Sequence, residues 1–219
     1  MKKIILGLTV FALMFSLSSV ASAATTFLVT GSGQAGWTFN PDPSNATPYN
    51  FTTDAYSTGD GSLYVEPIGP TTAHKFIALK TMGGLVSDFN SLSYDFKIAG
   101  NGDALDANQF YANVYVSLPT PGIFYDCRFD YVSTIGSTAN FTTSSFLSTG
   151  TPTNVDDRYD GTPRTDDLYN CPTTLDAMTP GSTISAIVLN VGDTSANDVG
   201  LAGYLDNVVI DLETDATTY

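Results

Sequence analysis

The chain has 219 residues, 42% of them hydrophobic and 12% aromatic, with 8 basic against 22 acidic side chains and a net charge of −14 at pH 7. Such an acidic surface repels nucleic acid and anionic lipid, and a single histidine excludes the clustered His ligands of a zinc hydrolase. Only Glu66 and Glu213 are glutamates; the other 20 acids are Asp, a residue that favours turns and loops because its short carboxylate bonds nearby backbone.

Met1-Lys2-Lys3 is a basic start, Ile4 to Val20 is apolar or small, and Ala21-Ser22-Ala23 is a small-x-small cleavage pattern. Together they read as a bacterial-type secretory signal peptide over residues 1–23, leaving 24–219 as one domain that is secreted or at the cell surface. Without Lys2 and Lys3 the mature chain carries 6 basic against 22 acidic residues, a net charge of −16. No later segment approaches the roughly 20 apolar residues of a membrane helix, so no span is expected in the mature chain.

Ala24–Thr30 and Trp37–Phe39 are short strand candidates. Asn40–Thr58, with three prolines, reads as a long loop. Ser62–Ile68 and His74–Lys80 read as strands joined by Gly69-Pro70. Leu92–Ile98 places Leu92, Tyr94, Phe96 and Ile98 on one face. Gln109–Leu118 alternates Phe110, Ala112, Val114 and Val116 against Tyr111, Asn113, Tyr115 and Ser117. Phe124–Val132 sets Tyr125, Cys127, Phe129 and Tyr131 opposite Asp126, Arg128 and Asp130. Gly150–Cys171, with five Asp and two Arg, reads as a second long loop. Ser182–Val191 and Gly203–Leu212 complete the series. Period-two runs rich in β-branched and aromatic residues are strands. The expectation is an all-β chain of eight or nine strands, folded as an antiparallel two-sheet β-sandwich of jelly-roll type. A closed barrel is the alternative. The two cysteines, Cys127 and Cys171, are expected to form a disulfide in an exported protein.

Catalysis is poorly provided for. Two glutamates near opposite ends do not make the carboxyl pair of a glycosidase, no G-x-S-x-G is present, and His74 opens a strand beside Lys75. Binding is better served. Tyr111 and Tyr115 share a strand face with Asn113, and Asp126 and Arg128 lie on the polar face of the next strand. Rings offering an apolar face, with amide and charged groups between them, suit a sugar. Asp54, Asp60, Asp206 and Asp211 bracket the first and last strands and are the candidate ligands for a structural calcium, a hard ion that takes oxygen donors. They do not fit an EF-hand loop.

The ending Gly203-Tyr204-Leu205-Asp206-Asn207-Val208-Val209-Ile210 resembles the last strand of extracellular jelly-roll carbohydrate-binding modules, which share an aromatic-x-D-[DN]-V-x-[IL] pattern. The resemblance covers about 30 C-terminal residues. It implies a jelly roll and makes Asp206 the position that would help hold a structural calcium; no sugar-contact motif comes with it. The expected function is a non-catalytic glycan-binding module whose partner is a glycan or other cell-envelope component. A structural or adhesive envelope protein that binds protein or its own copies is the alternative, and a polysaccharide hydrolase the second; the sequence leaves the oligomeric state open.

Overall fold

The computed structural model describes residues 25–26, 33–41, 47–59, 61–69, 75–100, 109–119, 125–133, 136–157, 171–192, 199–212 and 216–218. The signal segment, Asp60, His74 and most of the expected 150–171 loop lie outside these residues. Among the described residues there is no α-helix, only single 3-10 turns at Gln34–Gly36, Val86–Asp88 and Leu175–Ala177. No helix there is long and apolar enough to cross a membrane.

The strands form two sheets. In the first, β12 (Ala202–Leu212) runs through the middle. On one side it pairs along most of its length with β6 (Phe89–Gly100), which is followed by β9 (Thr142–Leu147). On its other side, one end pairs with β4 (Ser62–Val65) and then β3 (Tyr49–Thr52). The other end pairs with β13 (Ala216–Thr218), which carries β1 (Thr25–Thr26) in the one parallel pairing described. The second sheet runs β10 (Asn154–Asp157), β8 (Cys127–Val132), β7 (Phe110–Ser117), β11 (Thr183–Val191), β5 (Phe76–Thr81), β2 (Trp37–Phe39), antiparallel throughout. This is the expected antiparallel β-sandwich.

The core follows from the alternation. Leu92, Tyr94, Phe96 and Ile98 are buried from the first sheet, and Phe110, Ala112, Val114, Val116, Cys127, Phe129 and Tyr131 from the second. Ring pairs bridge the sheets: Phe96 on Phe110 at 4.7 Å, Tyr49 on Phe76 at 5.5 Å, Tyr131 on Phe146 at 5.1 Å. Trp37 is a core residue, buried and parallel to Phe39. Each such side chain contributes about 1.5–3 kcal/mol on burial. Cys127 and Cys171 are joined as a disulfide with Cα atoms 5.8 Å apart.

Four strands differ from the expectation, the short β13 beyond the last expected strand among them. The Asn40–Thr58 stretch, read as loop, contains β3, and the second expected loop contains β10. Ser/Thr-rich β9 is also a strand. β3, β9 and β10 are edge strands, with one neighbour to satisfy and little apolar alternation to announce them. The strands flanking Gly69-Pro70 lie in different sheets. Ile68 is drawn on past β4 by backbone bonds to Leu201 and Gly200, so the chain crosses the sandwich before β5 begins.

Candidate functional site

The outward face of the second sheet carries the expected residues. β7 presents Tyr111, Asn113 and Tyr115. The two tyrosines stand four residues apart, about 13 Å at the rise of a strand. Tyr111 lies beside Asn190, Asn113 beside Val188, and Tyr115 beside Ala186 of β11. Next in the sheet, Leu79 and Ile77 of β5 pair with Val188 and Asn190. The floor near the tyrosines is thus apolar, with one buried amide, Asn190, set into it.

A ladder of polar side chains crosses four strands at this level. Asn190 Nδ2 donates to Asn113 Oδ1 at 2.7 Å, and Asn113 Nδ2 donates to Asp130 Oδ1 at 2.6 Å. Arg128 clamps Asp130 through Nε at 2.7 Å and a second guanidinium nitrogen at 2.9 Å. Asn154 Nδ2 adds a bond to Asp130 Oδ2 at 3.2 Å, and Arg128 reaches Asp156 at 3.1 Å. The bond to Asp130, with the charges of Asp130 and Asp156, holds the Arg128 guanidinium above its ordinary range against the opposing effect of burial. Asn190 Oδ1 has no partner among the described residues. Burial also raises the Tyr115 phenol, with Arg128 opposing, so Tyr115 is a neutral donor at physiological pH.

The ends of the array are framed. Tyr125 meets Tyr115 edge-on at 4.8 Å. Lys75 Nζ donates to the Tyr111 hydroxyl at 3.3 Å and stands 5.8 Å from its ring centre. The structure therefore brings together Tyr111, Asn113, Tyr115 and Arg128. Asp126 does other work: its carboxylate accepts the Leu118 N–H at 2.8 Å and fixes the end of β7. Lys75 and Asn190 were not singled out from sequence; Tyr125 was expected with the core-facing Cys127, Phe129 and Tyr131 but packs on the outward Tyr115, because it precedes β8 and lies outside its alternation. Asn190 had a visible signal, as the one amide in the apolar run Ile184–Val191; Asp156 was hidden in an expected loop.

Of the calcium candidates, Asp54, Asp206 and Asp211 lie among the described residues. Asp206 and Asp211 are five residues apart on β12, roughly 15 Å by strand rise, so one ion does not take both. Asp206 Oδ2 accepts Ser57 N–H at 2.6 Å and Thr58 N–H at 3.1 Å, with Ser57 Oγ 2.9 Å away, while Oδ1 accepts Asn207 N–H at 2.7 Å. Asp54 is exposed, and its own N–H donates to Thr52 Oγ1. Asp60 lies outside the described residues. Among the described residues no group of three His, Cys, Asp or Glu is placed to hold a metal ion. With the Asp206 carboxylate already filled by donors, the melting temperature is expected to be the same in chelator and in excess calcium. A calcium-dependent rise by mass action would show that the folded protein binds the ion and would overturn this expectation.

No protein-family model matches the chain, and no curated protein matches it. Solved structures do. A family 11 carbohydrate-binding module from Clostridium thermocellum, in complex with a β-1,3-1,4-mixed-linked tetrasaccharide, is similar over 84% of this chain and 93% of that one, at 15% identity and a TM-score of 0.49. A family 16 carbohydrate-binding module is similar over 83% and 96%, at 14% identity and a TM-score of 0.43. The enzymatically active domain of tailspike protein 4 from bacteriophage CBA120 is similar over 84% of this chain and 21% of that one, at 15% identity and a TM-score of 0.48. At these values the likeness assigns neither a ligand nor a residue role to this chain.

Proposed function

We propose that this is a secreted, non-catalytic β-sandwich that binds glycan on the outward face of its second sheet. One observation carries the reading: the Asn190–Asn113–Asp130–Arg128 ladder, held between Tyr111 and Tyr115. A sheet face that only needs to be wet gains little from half-buried amides and a clamped ion pair, because such groups are costly to desolvate. A face that must hold hydrogen-bond groups in fixed directions beside flat rings gains the preorganisation that binding rewards. Sugars present that chemistry, with an apolar ring face and a rim of hydroxyls. The disulfide and the expected signal peptide suit an oxidising, extracellular setting.

Affinity electrophoresis through gels containing soluble neutral polysaccharides tests the reading. Tyr111→Ala and Tyr115→Ala are each expected to weaken binding at least tenfold, about 1.4 kcal/mol. Tyr111→Ala should leave the melting temperature nearly unchanged, whereas Tyr115→Ala also loses its contact with Tyr125. Retardation equal to that of the parent in both variants would remove the tyrosines from any binding role.

A further inference from the structure

The outward face of the first sheet holds a second row of unlike residues, in register across four strands and the residue that leads into a fifth. Asn50 of β3 pairs with Tyr64 of β4, Tyr64 with Tyr204 of β12, and Tyr204 with Lys97 of β6. Phe141 immediately precedes β9, one position beyond the Phe96–Thr142 pair, which sets it next to Lys97. Strands about 4.8 Å apart make this row close to 20 Å long. The Tyr64 and Tyr204 rings lie 5.0 Å apart, and the Phe141 ring reaches to 6.3 Å from Tyr204. None of the five residues is buried.

The rest of this face is different in kind. The adjacent level is Asp206, Asp95 and Thr143, the one after it Val209, Ser93 and Ser145, and the next Asp211, Ser91 and Leu147. Rings are thus gathered into one level, while the levels beyond it carry Asp, Ser and Thr with only the aliphatic side chains of Val209 and Leu147 among them. One side of that level has a wall. Ser57 Oγ donates to Asp95 at 2.6 Å and also lies 2.9 Å from Asp206, while the Ser57 and Thr58 N–H groups bond Asp206, holding the segment after β3 over the acidic level. Thr143 and Asn207 side chains also donate to Asp95. No hydrogen bond or ion pair engages the Lys97 ammonium among the described residues, in a chain where acids outnumber bases 22 to 8.

We infer that this row is a second binding surface for a sugar chain, lying across the strands and independent of the array on the opposite sheet. The charge decides the class. Lys97 is one cation beside two carboxylates on the neighbouring level, so an anionic polysaccharide meets net repulsion. A neutral glycan meets three ring faces, with donors from Lys97, Asn50 and the tyrosine hydroxyls. Two faces on opposite sides of one sandwich make a monomer bivalent, able to bridge two chains or to gain avidity on a dense polysaccharide.

Four proteins separate this surface from the first: the parent, Tyr111→Ala/Tyr115→Ala, Tyr64→Ala/Tyr204→Ala, and the quadruple variant. Each is run through gels containing mixed-linkage β-glucan, xylan or galactomannan, with melting temperature as the check on folding. The rim variant Asn50→Ala/Lys97→Gln covers the case in which loss of both rings unfolds the sheet. The expected result is that the Tyr111/Tyr115 variant keeps measurable retardation in at least one gel. Tyr64→Ala/Tyr204→Ala, and to a lesser degree the rim variant, should bind at least tenfold more weakly than the parent, and the quadruple variant should bind nothing. Complete loss of binding in Tyr111→Ala/Tyr115→Ala, or parent-like binding in both first-sheet variants, overturns the second surface and leaves the first intact. Loss confined to the first-sheet variants overturns the array on the second sheet instead. A parent protein unretarded in every gel overturns both.

Discussion

Replacing Cys127 and Cys171 together is expected to cost about 4 kcal/mol and to lower Tm by roughly 8–16 °C for a domain of this size. The bridge closes a sequence separation of 44 residues, and in the chain-entropy model most of its effect is on the unfolded ensemble. It also has a local role. Cys127 is buried at the start of β8, directly before Arg128, and pairs with Asp157 of edge strand β10. β10 supplies Asp156 to Arg128 and Asn154 to Asp130. Releasing the bridge therefore loosens one end of the polar ladder as well as the fold. The Cys127→Ala/Cys171→Ala protein is the cleaner variant, because serine at position 127 would bury a hydroxyl without a partner, at about 1–3 kcal/mol more. Thermal unfolding of the oxidised parent, the reduced parent, Cys127→Ala/Cys171→Ala and Cys127→Ser/Cys171→Ser checks this. A shift below about 3 °C in all three would mean that segment 171–178 is held by packing alone, through Leu175 and Met178 in the core.

What the sequence made legible follows from where burial is one-sided. β6 and β7 alternate cleanly because one face packs on the opposite sheet and the other meets water, so Phe96 and Phe110 were readable as core and Tyr111, Asn113 and Tyr115 as one outward set. Edge strands β3, β9 and β10 pack little and are punctuated by Asn, Thr, Ser and Asp, so period-two patterning was too weak to reveal them. That weakness also concealed part of the site. Asp156 belongs to β10, and the row on the first sheet needs β3 and the approach to β9 before Asn50 and Phe141 fall into line with Tyr204. Asp206 illustrates a different limit. Its position on the last strand was legible, and the resemblance pointed it toward a cation. What fills its carboxylate depends on the segment after β3, which folds back 148 residues away in sequence. The bulge at Asp206–Val209, with Asn207 at φ 46°, turns that carboxylate toward Ser57 and Thr58. Asn accepts this left-handed backbone more readily than most residues, a reason for the Asp-Asn pair that strand rhythm does not contain.

Phe110→Ala is expected to destabilise the protein by about 3–5 kcal/mol, the range for truncating a fully buried Phe. The ring is 1% exposed and stacks on Phe96 at 4.7 Å, so it joins the two sheets at the point where β7 begins. Gly203 of β12 makes room for it. A Cβ on Gly203 would lie 2.5 Å from Phe110 Cζ and 2.6 Å from the Lys97 carbonyl oxygen. Gly203→Ala alone is therefore expected to cost about 1–3 kcal/mol by overpacking. In the double variant the new methyl enters space vacated by the ring, which relieves one clash and leaves the backbone one. The double variant should be more stable than the sum of the single effects predicts, by roughly 0.5–2 kcal/mol of coupling. Denaturant unfolding of the four proteins measures it. Strict additivity would mean that the sheets part locally to accept the methyl, and that the Phe96–Phe110 contact is not what sets their spacing under Tyr111. The affinity consequence is directional. Phe110 is the inward neighbour of Tyr111, so Phe110→Ala should weaken glycan binding under conditions where the protein is still folded, and should do so more than truncation of a distant core residue such as Leu175.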